Sequence, residues 1–300
     1  MRTLLVVNPA SGRGAGGRAA NAVAATLRSV TDTLDLHVAT SAEDTAAMAR
    51  RAVAEGYAVL AVLGGDGTVM LTLEACAGSD TALAVIPAGT GNDLAAALGL
   101  PAAPLAAASA VASGLAAGAL RPLDLGRVEG GGLFSTVLCA GFDSKVNERA
   151  NRMRWPSGPR RYDLAILGEL ARLRPYPLVV ETEDGTRELD ATMVSVGNTP
   201  SYGGGLRICP GADLGDGLFD ITIVGPITRR RLVQVFPRLR TGAHVDEPEV
   251  QTFRARSVRV GGTNDWVAYA DGDPQGPLPL TVTCVPAAIQ VIGPAHVVTP

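Results

Sequence analysis

Asp66 stands in VLAVLGGDGTVMLT, where an apolar run passes through three glycines and one carboxylate into a second apolar run. Asp93 closes PAGTGND, which also follows an apolar run. Glycines let backbone N–H groups approach an anionic ligand closely. A helix that starts straight after such a turn adds the positive end of its dipole, so these loops suit a polyphosphate. A carboxylate beside phosphates is repelled unless a cation intervenes or the carboxylate has a proton to take. Both roles point to Mg2+-dependent phosphoryl transfer. No lysine follows the glycines, so the G-x-x-x-x-G-K-[ST] phosphate loop is absent. Taken singly, Asp93 also fits an N-terminal cap for a helix over LAAALG.

Two acidic turns follow much later. In CPGADLGDGLFDITIV, Asp213 and Asp216 flank a tight glycine turn before a strand; they offer oxygens to a hard cation, or form a plain hairpin turn. In WVAYADGDPQG, Asp271 and Asp273 bracket Gly272 at another strand end. Two carboxylates there are costly unless they work, the alternative being a solvated turn.

These residues need elements to hold them. The first third alternates strand-like runs (TLLVV, DLHVA, AVLAVLGG, ALAVIP) with helix-like segments, which predicts parallel βαβ units in a doubly wound α/β sheet. Three loops, NPASGRGAGG at 8–17, GGDGT at 64–68 and PAGTGND at 87–93, then leave carboxyl ends of strands on one sheet edge, where such folds bind ligands. Gly12, Gly14 and Gly17 also satisfy G-x-G-x-x-G. Against a dinucleotide site, the second strand ends at Thr40 where an acidic ribose ligand is expected, and Asn8-Pro9 lengthens the first turn.

After Arg121-Pro122 the texture changes to period-two runs such as FSTVLCAG, RELDATMVSVGN and RARSVRVGG, with turn signals between them. This predicts a β-rich, sandwich-like second domain over 123–292 with helical insertions near 160–174 and 227–240. The nucleotide-binding α/β domain is expected over 1–122, with the tail 293–300 returning to it.

At 300 residues the chain suits two domains, and 47% hydrophobic content with only 4% aromatics predicts aliphatic cores. A net charge of -3 argues against a general nucleic-acid binder. Cys76, Cys139, Cys209 and Cys284 are scattered, as are the three histidines, which suggests neither a disulfide framework nor a zinc site; free thiols fit a reducing cytosol. No signal peptide opens the chain, and prolines and glycines cut the uncharged span from Leu94 to Leu120 into pieces too short to cross a bilayer.

Together, N-P-x-S-G at 8–12, G-G-D-G-T at 64–68, P-A-G-T-G-N-D-L-A at 87–95, D-G-L-F-D at 216–220 and D-G-D at 271–273 resemble the bacterial lipid kinases of the diacylglycerol kinase catalytic-domain family. The motif order matches along essentially the whole chain. G-G-D-G-T alone also occurs in NAD kinases and, with serine last, in phosphofructokinases; P-A-G-T-x-N-D with the late D-G-x-F-D is more specific.

The resemblance implies transfer of the γ-phosphoryl group of ATP to a lipid hydroxyl such as that of diacylglycerol. The first domain would hold nucleotide and the second would receive lipid. It implies nucleotide contacts at Asn8, Ser11, Gly12, Thr40, Gly64, Gly65, Asp66, Gly67, Thr68, Val69 and Thr90. A Mg2+ and water network would involve Asp66, Asp93 and Asp216, and a structural Mg2+ would take Asp213, Asp216 and the Leu218 carbonyl.

Two departures stand out. Where the family reads G-G-D-G-T-x-N-E, Val69-Met70-Leu71 follows the threonine, so contacts there fall to the backbone. The family's proposed general base is the glutamate of D-G-E; here it is Asp273, one methylene shorter. The rival readings are a soluble-substrate kinase resembling NAD kinase and a non-catalytic nucleotide- or lipid-binding member of the fold.

A lipid kinase acting from the cytoplasm must touch the inner face of the membrane. RANRMRWPSGPRRY at 149–162 interleaves five arginines with Trp155 and Tyr162, and ITRRRLVQVFPRLR at 227–240 carries five more beside Leu232, Val235 and Phe236. Basic residues near anionic headgroups contribute on the order of 1 kcal/mol each and tryptophan favours the interface. The alternative for either segment is a solvated basic face.

Overall fold

Aliphatic runs with no polar face become strands covered on both sides. The computed structural model describes residues 1–153, 155, 159–262 and 265–294. It divides into two compact units, Met1–Leu125 with residues 286–294, and Gly126–Val285. Residues 295–300 of the expected returning tail lie outside the described residues.

The first unit contains β1 (Arg2–Val7), α1 (Ser11–Arg28), β2 (Thr33–Val38), α2 (Ala42–Ala54), β3 (Val59–Gly64), α3 (Asp66–Cys76), β4 (Ala82–Pro87), α4 (Asp93–Ala97) and α5 (Pro104–Ala117). The strands lie in the order β2-β1-β3-β4, all parallel. The right-handed crossover rule then puts α2 and α3 on one face and α1 on the other. Accordingly α2 packs on α3, and α1 on α5. Every residue of β3 and β4 is buried, whereas the edge strand β2 leaves Leu36 and Val38 exposed. The register pairs Val7 with Leu63 and Gly64 with Pro87, so β1, β3 and β4 end level with one another.

The second unit takes up the chain within β5 (Leu120–Val128) and continues through β6 (Leu133–Phe134), β7 (Val137–Gly141), α6 (Phe142–Arg152), α7 (Pro159–Leu170), β8 (Tyr176–Thr182), β9 (Gly185–Ala191), β10 (Met193–Gly197), β11 (Phe219–Val224) and α8 (Arg229–Val235). After two 3-10 turns come β12 (Val250–Ala255), β13 (Ser257–Gly262), β14 (Val267–Ala270), β15 (Asp273–Pro277) and β16 (Leu280–Ile292). Six strands form one antiparallel sheet, β12-β11-β10-β7-β14-β15. The start of β16 pairs with β13, followed by β8 and β9, in the facing antiparallel layer. Between the layers lie Val194, Val196 and Ile221 from one side and Val180, Val258 and Val282 from the other, with Phe134 stacked on Phe219 at 5.9 Å. The other face of the six-stranded sheet, through Val137, Met193 and Val224, is covered by Phe142 and Val146 of α6, Ala165 of α7 and Val235 of α8.

The helical insertions expected near 160–174 and 227–240 correspond to α7 and to α8 with its 3-10 extension. Helix α6 follows directly on β7 and carries few strongly apolar residues, so its sequence does not announce it.

Candidate functional site

In the first unit three glycine loops meet. Gly12 has φ 57 and lies so close to the loop after β4 that a Cβ there would stand 2.1 Å from the Ala88 carbonyl oxygen. Gly65 and Gly89 face each other; a Cβ on Gly89 would come within 2.7 Å of Gly65 Cα. Glycine at these positions therefore brings the loops together as well as shaping each one. The run Gly12-Arg13-Gly14 is left-handed throughout, with φ 57, 56 and 88, and turns the chain before the regular part of α1. Backbone turned in this way forms a concavity of the kind that binds anions.

Polar side chains lock the loops. Asn8 Nδ2 donates to Thr68 Oγ1 at 2.9 Å, its Oδ1 accepts from Ala10 N at 3.1 Å, and Ser11 Oγ accepts from Gly65 N at 3.3 Å. Asp66 reaches across to the third loop: Oδ2 accepts from Asn92 N at 2.6 Å and Oδ1 from Asp93 N at 2.8 Å. Asn92, left-handed at φ 60, accepts from Gly89 N at 2.8 Å and donates to Gly89 O at 3.0 Å, closing the loop on itself. The exposed apex of that loop is Thr90, while Gly67 opens the first turn of α3 with nothing near its Cα hydrogens. Thr68 and Val69 are buried, so Val69 offers only its backbone to a ligand.

Of the expected nucleotide contacts, Asn8, Ser11, Gly12, Gly64, Gly65, Asp66, Gly67, Thr68 and Thr90 come from these loops. Thr40 follows the neighbouring strand β2, where its N–H and hydroxyl both donate to Asp44, at 2.8 and 3.0 Å. Asp44 also meets His37 Nε2 at 3.0 Å, and the Thr40 N–H, then His37, hold its carboxyl below the usual range. Asp93 starts α4, with Asn92 as the residue before it; the sequence pattern did not reveal that Asp66 supplies the cap.

In the second unit the D-G-D segment is a two-residue hairpin turn. Asp271 and Gly272 have φ 50 and 90, and Ala270 pairs with Asp273. Asp-Gly is the pair such turns favour, because both central residues need positive φ. Asp271 is committed to structure: it accepts from Ser135 N at 2.7 Å, Thr136 N at 3.0 Å, Ser135 Oγ at 3.2 Å and Thr136 Oγ1. Burial pushes its carboxyl up, against the pull of these donors. Asp273, two residues on, is exposed, and its carboxylate has no hydrogen-bond partner among the described residues.

The loop 213–220 gathers carboxylates. Asp213 Oδ1 accepts from Gly215 N and Asp216 Oδ1 from Leu218 N, both at 3.0 Å. Arg254 pairs with Asp216 and reaches Asp220 Oδ2 at 3.1 Å. Asp220 is pushed up to about 6 by burial and by the charge of Asp213. The Arg254 guanidinium thus meets two of these three carboxylates, Asp216 and Asp220, and carboxylate oxygens are the donors a hard cation such as Mg2+ prefers. Among the described residues no three His, Cys, Asp or Glu side chains form a metal cluster, so backbone oxygens such as that of Leu218 would have to complete the shell. Arg254 escaped the sequence reading because its place opposite Asp220 is set by β11–β12 register.

A further titratable pair was not legible either. Asp143, at the start of α6, receives the Tyr202 hydroxyl, and burial pushes its carboxyl up to about 6.

The two candidate basic surfaces differ. In 227–240, Arg231 pairs with Glu247 and Glu249, Arg238 pairs with Glu247, Val235 is buried, and Leu232 packs against the core. In 149–162, Trp155 is 81% exposed and Tyr162 is exposed, and α7 adds Leu167 at 61% and an exposed Leu164. Arg154 and residues 156–158 lie outside the described residues. No helix among the described residues is long and apolar enough to cross a membrane.

Comparison with known proteins places these features in a family. Residues 2–128 match the diacylglycerol kinase catalytic domain, and residues 136–293 match the YegS C-terminal NAD kinase beta sandwich-like domain. A Mycobacterium tuberculosis protein named diacylglycerol kinase is 46% identical over 97% of this chain and 94% of its own length. A Pseudomonas aeruginosa protein named "Probable lipid kinase YegS-like" is 30% identical over 98% of this chain and 95% of its own. A Bacillus anthracis crystal structure described as a diacylglycerol kinase superposes with TM-score 0.75 at 18% identity, covering 97% of this chain and 96% of that one, which supports the fold. The chain belongs to the diacylglycerol kinase-like family of lipid kinases.

Proposed function

We propose that this protein transfers the γ-phosphoryl group of ATP, with Mg2+, to the hydroxyl of diacylglycerol or a related lipid. The observation that carries this reading is Asp66. It lies at the junction of three glycine loops, at the start of α3, in a chain 46% identical to a relative named diacylglycerol kinase.

The backbone of the three loops and the N-terminus of α3 would receive the phosphates, with Asn8, Ser11 and Thr68 keeping the loops in register. When bound, Mg2+ neutralises phosphate charge and polarises the transferring group. Asp66 and Asp93 would serve the cation and its water shell. In the transfer, the lipid hydroxyl oxygen forms a bond to the γ-phosphorus as the bond to the β,γ-bridging oxygen breaks and ADP leaves. The hydroxyl proton would pass to Asp273, whose exposed carboxylate has no hydrogen-bond partner among the described residues. The Asp213–Asp216 loop with the Leu218 carbonyl would hold a separate, structural Mg2+.

The α6–α7 region is the proposed membrane-facing surface, because Trp155, Leu164 and Leu167 are exposed beside exposed arginines. Both basic segments commit two arginines to carboxylates, Arg149 and Arg152 in one and Arg231 and Arg238 in the other, so the exposed apolar residues of α6–α7 favour that surface. Four buried free thiols support action from the cytoplasmic side.

The test is incubation with γ-labelled ATP and vesicles carrying diacylglycerol, a sphingoid base or phosphatidylglycerol in turn, with NAD as a soluble acceptor. Label in a lipid extract supports the proposal and identifies the acceptor. Label on NAD alone, or ATP binding with no transfer to any acceptor, refutes it.

A further inference from the structure

A cavity of about 360 Å³ opens in the second unit between the start of α6, the end of α7 and the sheet. Its size falls at the lower end of small-molecule sites, roughly 300–1,000 Å³. Phe142, Leu173 and the fully buried Trp266 give it an apolar wall. Part of the room comes from Gly141 at φ 104, where a Cβ would stand 3.0 Å from the Trp266 ring and 2.6 Å from the Thr192 carbonyl oxygen.

The mouth of this apolar space is cationic. Lys145 Nζ lies 5.1 Å from the centre of the Tyr176 ring and Arg174 Cζ 4.7 Å from it, and Arg174 also donates to the Tyr176 hydroxyl. The ring is held edge-on to Trp266 at 5.5 Å. Arg172 lines the same cavity. The carboxylates nearby do not balance these charges. Glu169 is engaged by Arg149 at 2.5 Å and lies 3.9 Å from Arg172, and Lys145 pairs with Asp265, 3.9 Å away and almost fully exposed. Gathering two cations on one aromatic ring beside a third costs electrostatic energy that an anion would offset.

We propose that this cavity binds a phosphate monoester carried on an apolar body, with the phosphate at Lys145, Arg172 and Arg174 and the apolar part against Phe142, Leu173 and Trp266. Cationic donors set at the mouth of an apolar space recognise both halves of such an amphiphile, whereas inorganic phosphate uses only one half. The site does not rest on the reaction proposed above, because binding is read at Trp266 without turnover.

The chain has two tryptophans, so Trp155→Phe leaves Trp266 as the sole indole reporter. In that background, short-chain dihexanoyl phosphatidate below its micelle concentration, inorganic phosphate and dihexanoyl phosphatidylcholine are titrated while Trp266 emission is followed. The expected result is a saturable change with phosphatidate at a concentration at least about tenfold lower than phosphate requires, and none with the choline lipid. Lys145→Gln with Arg174→Gln should raise the phosphatidate half-saturation at least about tenfold at an unchanged melting midpoint. If the pair lowers that midpoint, Arg174→Gln alone, which alters an exposed side chain, serves for the same comparison. Equal half-saturation for phosphate and phosphatidate overturns the proposal in favour of a free-phosphate site. A saturable choline-lipid response of equal strength, no phosphatidate response, or undiminished binding by the variants overturns it outright.

Discussion

The Asp66 carboxylate accepts the backbone N–H of Asn92 at 2.6 Å, so the residue proposed to serve phosphates also clasps the loop that approaches them. Both roles can be separated. Asp66→Ala removes two charge-assisted bonds to backbone and should cost about 1.5–3 kcal/mol of stability together with at least about a hundredfold in turnover. Asp66→Asn keeps one acceptor oxygen but sheds the charge, so it should lose less stability and as much activity. Urea unfolding beside steady-state kinetics checks this; near-normal turnover in Asp66→Asn removes the charge from the mechanism.

One turn carries two aspartates with opposite tasks. Asp271→Ala strips acceptors from the buried Ser135 and Thr136 N–H groups and should destabilise the protein by about 2–5 kcal/mol. Asp273→Ala removes an exposed carboxylate with no hydrogen-bond partner among the described residues and should stay within about 0.5 kcal/mol of wild type while turnover falls about a hundredfold or more. Denaturant midpoints and kcat for the two variants should move in this crossed pattern.

Stability should rise as pH falls from about 6 to about 4, to the extent that Asp143 sets it. The unfolded aspartate titrates near 3.9 and burial raises the native group to about 6. Between those values the native state binds more protons than the unfolded one, so unfolding free energy falls as pH rises and levels off above about 6. The span is on the order of 1–3 kcal/mol. Urea midpoints at pH 4.5 and 7 should differ less in Asp143→Asn than in wild type. Asp220, also raised to about 6, adds a contribution of the same sign that this substitution leaves in place.

A cation in the 213–220 loop would be visible without turnover. Mg2+ at about ten times its dissociation constant should stabilise the fold by about 1.4 kcal/mol, read as a rise in melting midpoint. Asp216→Ala should abolish that rise. An equal rise in the variant places the stabilising cation elsewhere.

The sequence makes the glycine turns, the parallel strands and the Asp-Gly hairpin legible, because each depends on local signals: an apolar run, a glycine after a strand, a positive-φ pair. What escapes it depends on register and distance. Arg254 meets Asp220 only because β11 and β12 pair in one register. Asp271 finds its donors at Ser135 and Thr136, which lie 136 and 135 residues away along the chain. Helix α6 hides because FDSKVNERANR places Phe142, Ser144, Val146 and Ala150 inward, a thin stripe with just three apolar residues.

The central claim is tested most directly by label transfer from ATP to diacylglycerol in anionic vesicles, measured for wild type and Asp273→Asn alongside ATP affinity. The account predicts labelled lipid from wild type, a kcat lowered about a hundredfold or more in the variant, and unchanged ATP binding. Wild-type protein that binds ATP yet labels neither diacylglycerol nor any other lipid hydroxyl would contradict it.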